Sequence, residues 1–435
     1  MKSVFTLGRG RKAAAIALAA GTAIGVTALA PAAHAQRAPR EQRQSRPAGE
    51  MSREFLAAVQ PIDQASRQEG ADFAGLATQV KAIQALAKSA DELNALGSLS
   101  YNIGTRASDT ALQRQGLDMM LRSGKVEPDK LGSFNLAAGQ LAYQAQDWVA
   151  ARTYLEAAGA NGRTEAQPLI AESYFAQNNP AEGARYLRRA IQTRIDAGQT
   201  VDESWIKRGL AQSYNANLMA EAADYSLLLV RYYPSTDSWG DAIAILRNGG
   251  ELDNHATLDL MRLALRANAM RNERDYVDYV ESADSRRLPA EVSRVIAAGV
   301  AANKVQANST FFNEARTIAN GRAAADRTDL AGFERIARGA AATAAEVTGA
   351  ADSFLAHEQP AKAEELYRIA LGKPGVDTAR VLTRLGIAQA YQGKNTEAQA
   401  TFARVEGARQ PIARLWSLYV EQAAAAPAAA APAAQ

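Results

Sequence analysis

Apolar residues recur at a helical spacing through almost the whole chain, and this pattern restricts the fold more than any other sequence feature. Leu258, Met261 and Leu265 form one such stripe. Steps of three or four residues place side chains on one face of an α-helix, whereas a half-buried strand would alternate. Turn-forming runs such as Asn178-Asn179-Pro180 interrupt the pattern about every 12 to 20 residues. The sequence therefore predicts an all-α fold of many short helices joined by short turns.

The composition agrees with closely packed helices. Alanine supplies roughly a fifth of the 435 residues, and aromatic residues supply only 6%. Alanine is the best helix former, while sheets favour β-branched and aromatic side chains, so a β-sandwich or barrel is disfavoured. The chain contains no Cys, which excludes disulfides, thiolate nucleophiles and Cys-ligated metals.

Residues 1–35 have the layout of a secretory signal peptide. Four Lys and Arg residues precede an apolar stretch from Ala13 to Ala30, and Ala33-His34-Ala35 supplies an A-x-A cleavage site. The alternative, a transmembrane anchor, is disfavoured because the stretch consists mainly of weakly apolar Ala, Gly and Thr. We expect export through a cleaved signal and a periplasmic or secreted product with no transmembrane segment. Cleavage changes the net charge from +3 to −1, because the signal holds four of the 49 basic residues and none of the 46 acidic ones.

Composition and periodicity divide the rest of the chain. We predict a disordered linker at 36–51, an N-terminal helical array at 52–288, an irregular Ala-rich helical region at 289–345, C-terminal repeats with a capping helix at 346–422, and a disordered Ala/Pro tail at 423–435. The capping helix is expected over Pro411–Gln422.

A small–small–large pattern recurs within the helical parts. In the segment Leu385–Phe402, Gly386 is followed after twelve residues by Ala398 and after four more by Phe402. The same spacing relates four further sets: Gly139, Trp148, Ala151, Leu155 and Ala158; Ala171, Tyr174, Gly183, Leu187 and Ala190; Ala211, Tyr214, Ala223, Leu227 and Val230; and Ala351, Phe354, Ala363, Tyr367 and Ala370. This pattern resembles that of the tetratricopeptide repeat (TPR) family, here as an exported bacterial member with degenerate repeats.

The resemblance implies an α-solenoid of stacked antiparallel helix pairs, a TPR-like superhelix. It also implies that the first helix of each pair lines a concave groove that takes a peptide or partner helix. The groove-facing positions would be Gln140, Tyr143, Gln144, Glu172, Phe175, Trp205, Arg208, Gln212 and Asn215. Aromatic and Arg side chains would anchor a peptide, and amides would bond its backbone. Alternatively, the rings of Tyr143, Phe175 and Trp205 pack between helices.

The sequence contains no recognisable catalytic motif. HExxH, GxSxG, GxxxxGK[ST] and GxGxxG are all absent. Beyond the signal only His255 and His357 remain, and we interpret both as exposed turn residues. We therefore expect no catalytic residue, no metal site and no cofactor.

Charged clusters indicate solvated helix faces. Arg262, Arg266, Arg271 and Arg274 are interspersed with acids, so nucleic acid is not an expected partner. Acids such as Asp275 and Asp278 are likewise typical of a helix surface.

The favoured function is a non-catalytic scaffold for a protein or peptide partner in envelope assembly, polysaccharide export or secretion. The alternative is a cell-wall enzyme or an accessory subunit of one, which would need a buried, isolated acid in a cleft. The sequence does not identify the partner or the oligomeric state.

Overall fold

Helices supply all the regular structure in residues 51–250 and 252–425, the ranges that a computed structural model describes. This confirms the all-α prediction. The α-helices are α1 (Arg53–Ser66), α2 (Phe73–Ala82), α3 (Ala90–Arg106), α4 (Thr110–Ser123), α5 (Pro128–Gln144), α6 (Trp148–Ala160), α7 (Ala166–Ala176), α8 (Pro180–Asp196), α9 (Glu203–Asn215), α10 (Met219–Tyr232), α11 (Thr236–Gly249), α12 (Asn254–Arg266), α13 (Glu273–Ala283), α14 (Pro289–Ala301), α15 (Thr310–Ala337), α16 (Ala344–Ala356), α17 (Pro360–Leu371), α18 (Thr378–Tyr391), α19 (Asn395–Phe402) and α20 (Gln410–Ala425).

Side-chain caps fix where many of these helices begin. At α3, Ser89 accepts a hydrogen bond from the Glu92 N–H, and the Glu92 carboxylate accepts from the Ser89 N–H at 2.9 Å. The same carboxylate accepts from the N–H of Ser52, the residue that caps α1, at 2.7 Å. These backbone donors lower the pKa of Glu92 to about 2. One ionised side chain thus caps α3 and ties α1 to it.

Eight helix pairs in the described ranges close with the same turn. The second residue after the end of the first helix adopts a φ between 54° and 72°, and the N–H of the residue that follows it donates to the carbonyl five residues earlier at 2.7–3.0 Å. The residues with positive φ are Ser108, Gln146, Asn178, Asn217, Asn268, Asn303, Glu358 and Gly393. This is the Schellman helix ending. In six pairs the second helix begins two residues after this position, and in α12/α13 and α14/α15 it begins after a slightly longer connection. Connections this short are typical of two antiparallel helices.

The pairs formed by this turn are α3/α4, α5/α6, α7/α8, α9/α10, α12/α13, α14/α15, α16/α17 and α18/α19. Each helix packs on its neighbours along the chain, and first helices such as α5 and α7 also touch each other. Stacked antiparallel pairs of this kind form an α-solenoid, as the sequence predicted.

Small residues allow the two helices of a pair to approach closely. A Cβ on Gly386 would collide with the Phe402 ring, and one on Gly139 would lie 2.7 Å from Leu155. Both contacts follow the predicted pattern. The α9/α10 pair differs, because there Gly209 meets the ring of Tyr225.

The predicted register of that pair was therefore wrong. Ala211, Ala223 and Leu227 are only half-buried, whereas Gly209 and Tyr225 are buried. The physical reason is that Tyr225 is the large side chain here and needs the space over a glycine. Its hydroxyl donates to the Ala184 carbonyl at 2.5 Å, which fixes the ring against α8.

The last helix packs back onto the middle of the chain. The predicted capping segment lies within α20, which covers α18 and α19 and also contacts α10 and α12. Trp416 is fully buried there, and its indole N–H donates to the Asp259 carbonyl at 2.9 Å. At the surface Arg231 of α10 pairs with Glu421 of α20 at 2.7 Å. These contacts join elements that are far apart in sequence.

Several sequence predictions concern residues outside the described ranges. The signal peptide at 1–35, the linker up to residue 50 and the tail from residue 426 all lie there. The region 289–345 contains α14 and the 28-residue α15. Within residues 51–250 and 252–425, no helix combines the length and apolarity needed to cross a membrane.

Candidate binding groove

A charged pair links the exposed sides of two first helices. Arg208 of α9 donates from Nε and Nη2 to the two carboxylate oxygens of Glu172 of α7, both at 2.5 Å. The guanidinium also lies over the Phe175 ring, 5.5 Å from its centroid. Gln212, on the same helix, is oriented with its amide oxygen toward Arg208, and this oxygen accepts from Nη1 at 2.9 Å. The fork is thus held in one geometry while 45% of the Arg208 side chain stays exposed.

A tyrosine extends this group onto a third helix. Tyr143 of α5 is half-buried, and burial raises the pKa of its phenol, with a further increase from the negative charge of Glu172. Its ring meets Trp148 edge-on at a centroid distance of 5.1 Å. We call the group Tyr143, Glu172, Phe175, Arg208 and Gln212 the strip. It crosses α5, α7 and α9 in that order.

The other predicted groove residues lie around the strip or apart from it. Gln144 and Asn215 are exposed at the C-terminal ends of α5 and α9, and Gln140 is half-buried on α5. Trp205 packs with the core between α8 and α9, and Arg194 lies over its ring at 5.1 Å. This ring therefore serves helix packing.

Phe175 has a double role. Its ring occupies the space over Gly183 of α8, where a Cβ would collide with it. One edge therefore packs inside the α7/α8 pair, and the face carries the Arg208 guanidinium. This is a fixed aromatic platform, of the kind that anchors ligands at low entropic cost.

A second cluster of charged side chains, which is buried, was not predicted from the sequence. Asp259 of α12 is fully buried, and its carboxylate accepts from Arg384 at 2.9 Å, from Arg262 at 3.2 Å and from Arg409 at 2.8 Å. Arg262 also pairs with Glu291 at 2.6 Å. We call these residues, with Asp352, the buried ionic network.

The interpretation of Arg262 as part of a solvated face was wrong, since only 1% of its side chain is exposed. The network instead joins α12, α14, α16 and α18 with the segment before α20. A signal was present, because Asp259 and Arg262 interrupt an apolar run from Leu258 to Leu263.

Both histidines are less exposed than expected. The side chain of His357 is 9% exposed, and its Nε2 lies 2.6 Å from a carboxylate oxygen of Asp326 on α15. His255 lies 3.0 Å from the Arg287 guanidinium, and burial lowers its pKa to about 4. The interpretation of both as exposed turn residues was therefore wrong, because neighbouring pairs cover these turns.

The carboxylates of α13 also have partners. Asp275 and Asp278 both accept from Nη1 of Arg247 at 2.9 Å. Burial raises the pKa of Asp278, although Arg247 and Arg274 act in the opposite direction. Across the described ranges, no three His, Asp or Glu side chains are grouped so that they could hold a metal ion.

Comparison with known proteins gives a distant structural likeness only. No protein-family model matches the chain. No curated protein matches it either. Among solved structures, it is similar to a chain in a structure of Naa15/Naa10 bound to HypK-THB, with 12% sequence identity and a TM-score of 0.23 over 83% of this chain and 67% of that chain. At that distance the likeness carries no argument about function.

Proposed function

We propose that the chain is a non-catalytic scaffold that binds an extended protein or peptide segment along the strip. The observation that supports this most is the bidentate pair of Arg208 and Glu172 on two successive first helices, with Tyr143 of the preceding first helix near enough for the charge of Glu172 to add to burial in raising its pKa. A helical repeat array presents equivalent positions of its first helices side by side, which suits an extended ligand.

The chemistry of the strip fits such a ligand. The exposed part of Arg208 and the rings of Phe175 and Tyr143 are the side-chain types that dominate binding energy in protein interfaces. Gln212, together with the exposed amides of Gln144 and Asn215, can bond a peptide backbone. Adjacent helices lie about 10 Å apart, so three of them span roughly 20 Å, which is about six residues of extended chain.

The proposed setting is the bacterial cell envelope, and the proposed family is that of TPR proteins. Both rest on the sequence: the basic and apolar start with its A-x-A site, and the five small–small–large units. In this setting the scaffold would serve envelope assembly, polysaccharide export or secretion. The partner would be a protein, with no role for nucleic acid.

A displayed peptide library tests the binding proposal. Purified full-length chain is used to select random peptides of about ten residues, and their affinities are measured by fluorescence anisotropy. We expect Tyr143→Ala/Arg208→Ala to weaken the selected peptides at least tenfold, since truncated interface anchors typically cost more than 1.4 kcal/mol.

The matched control is Arg185→Ala/Tyr232→Ala. Arg185 is an exposed arginine that pairs with Glu182 within α8, and Tyr232 is 39% exposed on α10. This variant should bind like the wild type. If the selected peptides bind Tyr143→Ala/Arg208→Ala with the affinity of the wild type, or bind both variants with equal affinity, the binding site is not the strip.

A further inference from the structure

A cavity of about 260 Å³ opens between the turn before α14 and the starts of α16 and α18. Its polar lining consists of Arg287, Thr348, Asp352, Ser353, Asp377 and Arg380, and Leu288, Ala345 and Val381 supply apolar surface. Pockets for small molecules usually begin at roughly 300 Å³, so this one suits a small ligand. The strip lies on other helices and does not take part.

Arg287 has no carboxylate partner among the described residues. Its Nη2 donates to the Ser282 carbonyl at 3.0 Å, and its Nη1 lies 3.0 Å from Nδ1 of His255. Burial lowers the pKa of Arg287, the negative charge of Asp352 acts against this effect, and the nearby Arg384 adds to it. A half-buried guanidinium with only neutral partners is incompletely compensated, because a buried charge is normally paired.

Arg380 has an unused donor beside the same cavity. Its Nη2 donates to Asp352 at 3.0 Å, but its Nε is buried and has no acceptor among the described residues. Asp352 also accepts from Arg384 at 2.5 Å and from the Tyr367 hydroxyl at 2.7 Å. A buried N–H of this kind is costly unless something else accepts from it.

Helix ends add to the positive potential. The cavity lies against the first turns of α16 and α18 and against Leu288, which directly precedes α14. The N-terminal end of a helix carries a partial positive charge. This reinforces the two arginines without replacing them as the binding groups.

The ion pairs of the lining leave one guanidinium without a carboxylate. Asp352 balances Arg384 and Arg380 in part, and the exposed Asp377 caps α18 by accepting from the Arg380 N–H at 3.0 Å. The two arginines and two aspartates of the lining balance in charge, but Arg287 has no carboxylate in ion-pair contact among the described residues. A single carboxylate matches this guanidinium in charge and geometry, whereas a dianion would be repelled more strongly by Asp352 and Asp377.

We propose that this cavity binds the carboxylate group of a small organic monoacid, held by Arg287 and Arg380, with its short apolar part against Leu288 and Val381. No part of the proposed groove function requires this site. It would lock the turn before α14 to α16 and α18.

Propionate is the probe, with the full-length chain at neutral pH. Ligand-observed NMR measures binding, and a thermal-shift series against sodium chloride at equal ionic strength measures stabilisation. We expect saturable propionate binding that exceeds the chloride effect and also exceeds the effect of inorganic phosphate. Arg287→Gln should weaken propionate binding at least tenfold, and Arg286→Gln, a change of the exposed neighbour outside the lining, should leave it unchanged.

A second variant keeps the proposal testable if Arg287→Gln does not fold. Ala345 lies in the exposed first turn of α16 at the cavity wall, so Ala345→Glu supplies a tethered carboxylate. This variant should fold, melt at a higher temperature and no longer bind propionate. Propionate binding that survives in Ala345→Glu, a propionate effect no larger than that of chloride, or tighter binding of phosphate would each overturn the proposal.

Discussion

Replacing Asp259 by Asn should destabilise the protein by about 3 kcal/mol. The carboxylate is fully buried and accepts from Arg262, Arg384 and Arg409 at 2.8–3.2 Å. Removing one partner of a buried ion pair costs about 3–5 kcal/mol because the other charge stays uncompensated. Arg262 keeps Glu291 and Arg384 keeps Asp352, so we expect the lower end of that range.

The loss should be greatest where α20 joins the rest of the chain. Arg409 directly precedes α20, and its remaining acid is Asp253, whose side chain is 62% exposed. Urea denaturation measures the free energy of unfolding. With an unfolding entropy of about 2.1 cal/mol/K per residue, a loss of 3 kcal/mol corresponds to a decrease of about 4 °C in Tm. Hydrogen exchange of residues 410–425 should accelerate more than that of α3 to α6.

The matched control is Asp224→Asn. Asp224 also reaches α20, through Arg414 at 3.3 Å, but 36% of its side chain is exposed. Exposed ion pairs contribute at most about 1 kcal/mol, so this change should be small. A loss below 1 kcal/mol for Asp259→Asn, or one equal to that of the control, would refute the reasoning that the buried ionic network holds α20 in place.

Three further changes test the pH response, the turns and the helix contacts. The pKa of His255 is about 4 in the folded chain, against an ordinary value of 6.5. Between these pH values only the unfolded chain takes up the proton. The free energy of unfolding should therefore fall by up to about 3 kcal/mol as the pH drops from 6.5 to 4. Urea titrations across this pH range should show that His255→Gln lacks this pH-dependent loss. If the free energies of unfolding of His255→Gln and the wild type differ by the same amount at every pH, the prediction is wrong. Gln146→Gly should raise Tm, since Gln146 has a φ of 59° and a left-handed residue other than Gly costs about 1 kcal/mol; a lower Tm would show that the side chain matters more than the backbone. Gly386→Ala should lower the free energy of unfolding by about 1–3 kcal/mol, because the new Cβ would collide with the Phe402 ring. Gly349→Ala, on the open side of α16, should instead raise it by up to about 1 kcal/mol. Equal effects of the two substitutions in urea titrations would argue against the close contact at Gly386.

The helical fold was predictable because its signals are local. Apolar residues repeat at the helical period, and Asn178 and Asn217 are residues that tolerate the left-handed conformation of a turn. Gln146 and Glu358 occupy the same turn position without any such preference, so those turns could be located only in the structure. Their conformation is imposed by the hydrogen bonds of the helix ending.

The candidate site was predictable only as a set of positions. The register of first helices pointed to Glu172 and Arg208, but their bidentate pairing depends on how α7 and α9 stack. The buried ionic network was out of reach, because Asp259 and Arg384 lie 125 residues apart and meet only when the second half of the chain packs back on itself. Arginines that alternate with acids along a sequence look alike whether they face solvent or a buried partner.

Site-specific photo-crosslinking in the native host tests the groove most directly. A photoreactive residue replaces Gln144 or Asn215, which are exposed beside the strip, or Arg185 or Arg189, which are exposed on α8. The proposed function predicts one discrete crosslinked protein from both strip positions, lost when Arg208→Ala is added, and none from the α8 positions. Crosslinks to the same protein from α8 but not from the strip positions would contradict the claim that the first helices form the binding surface.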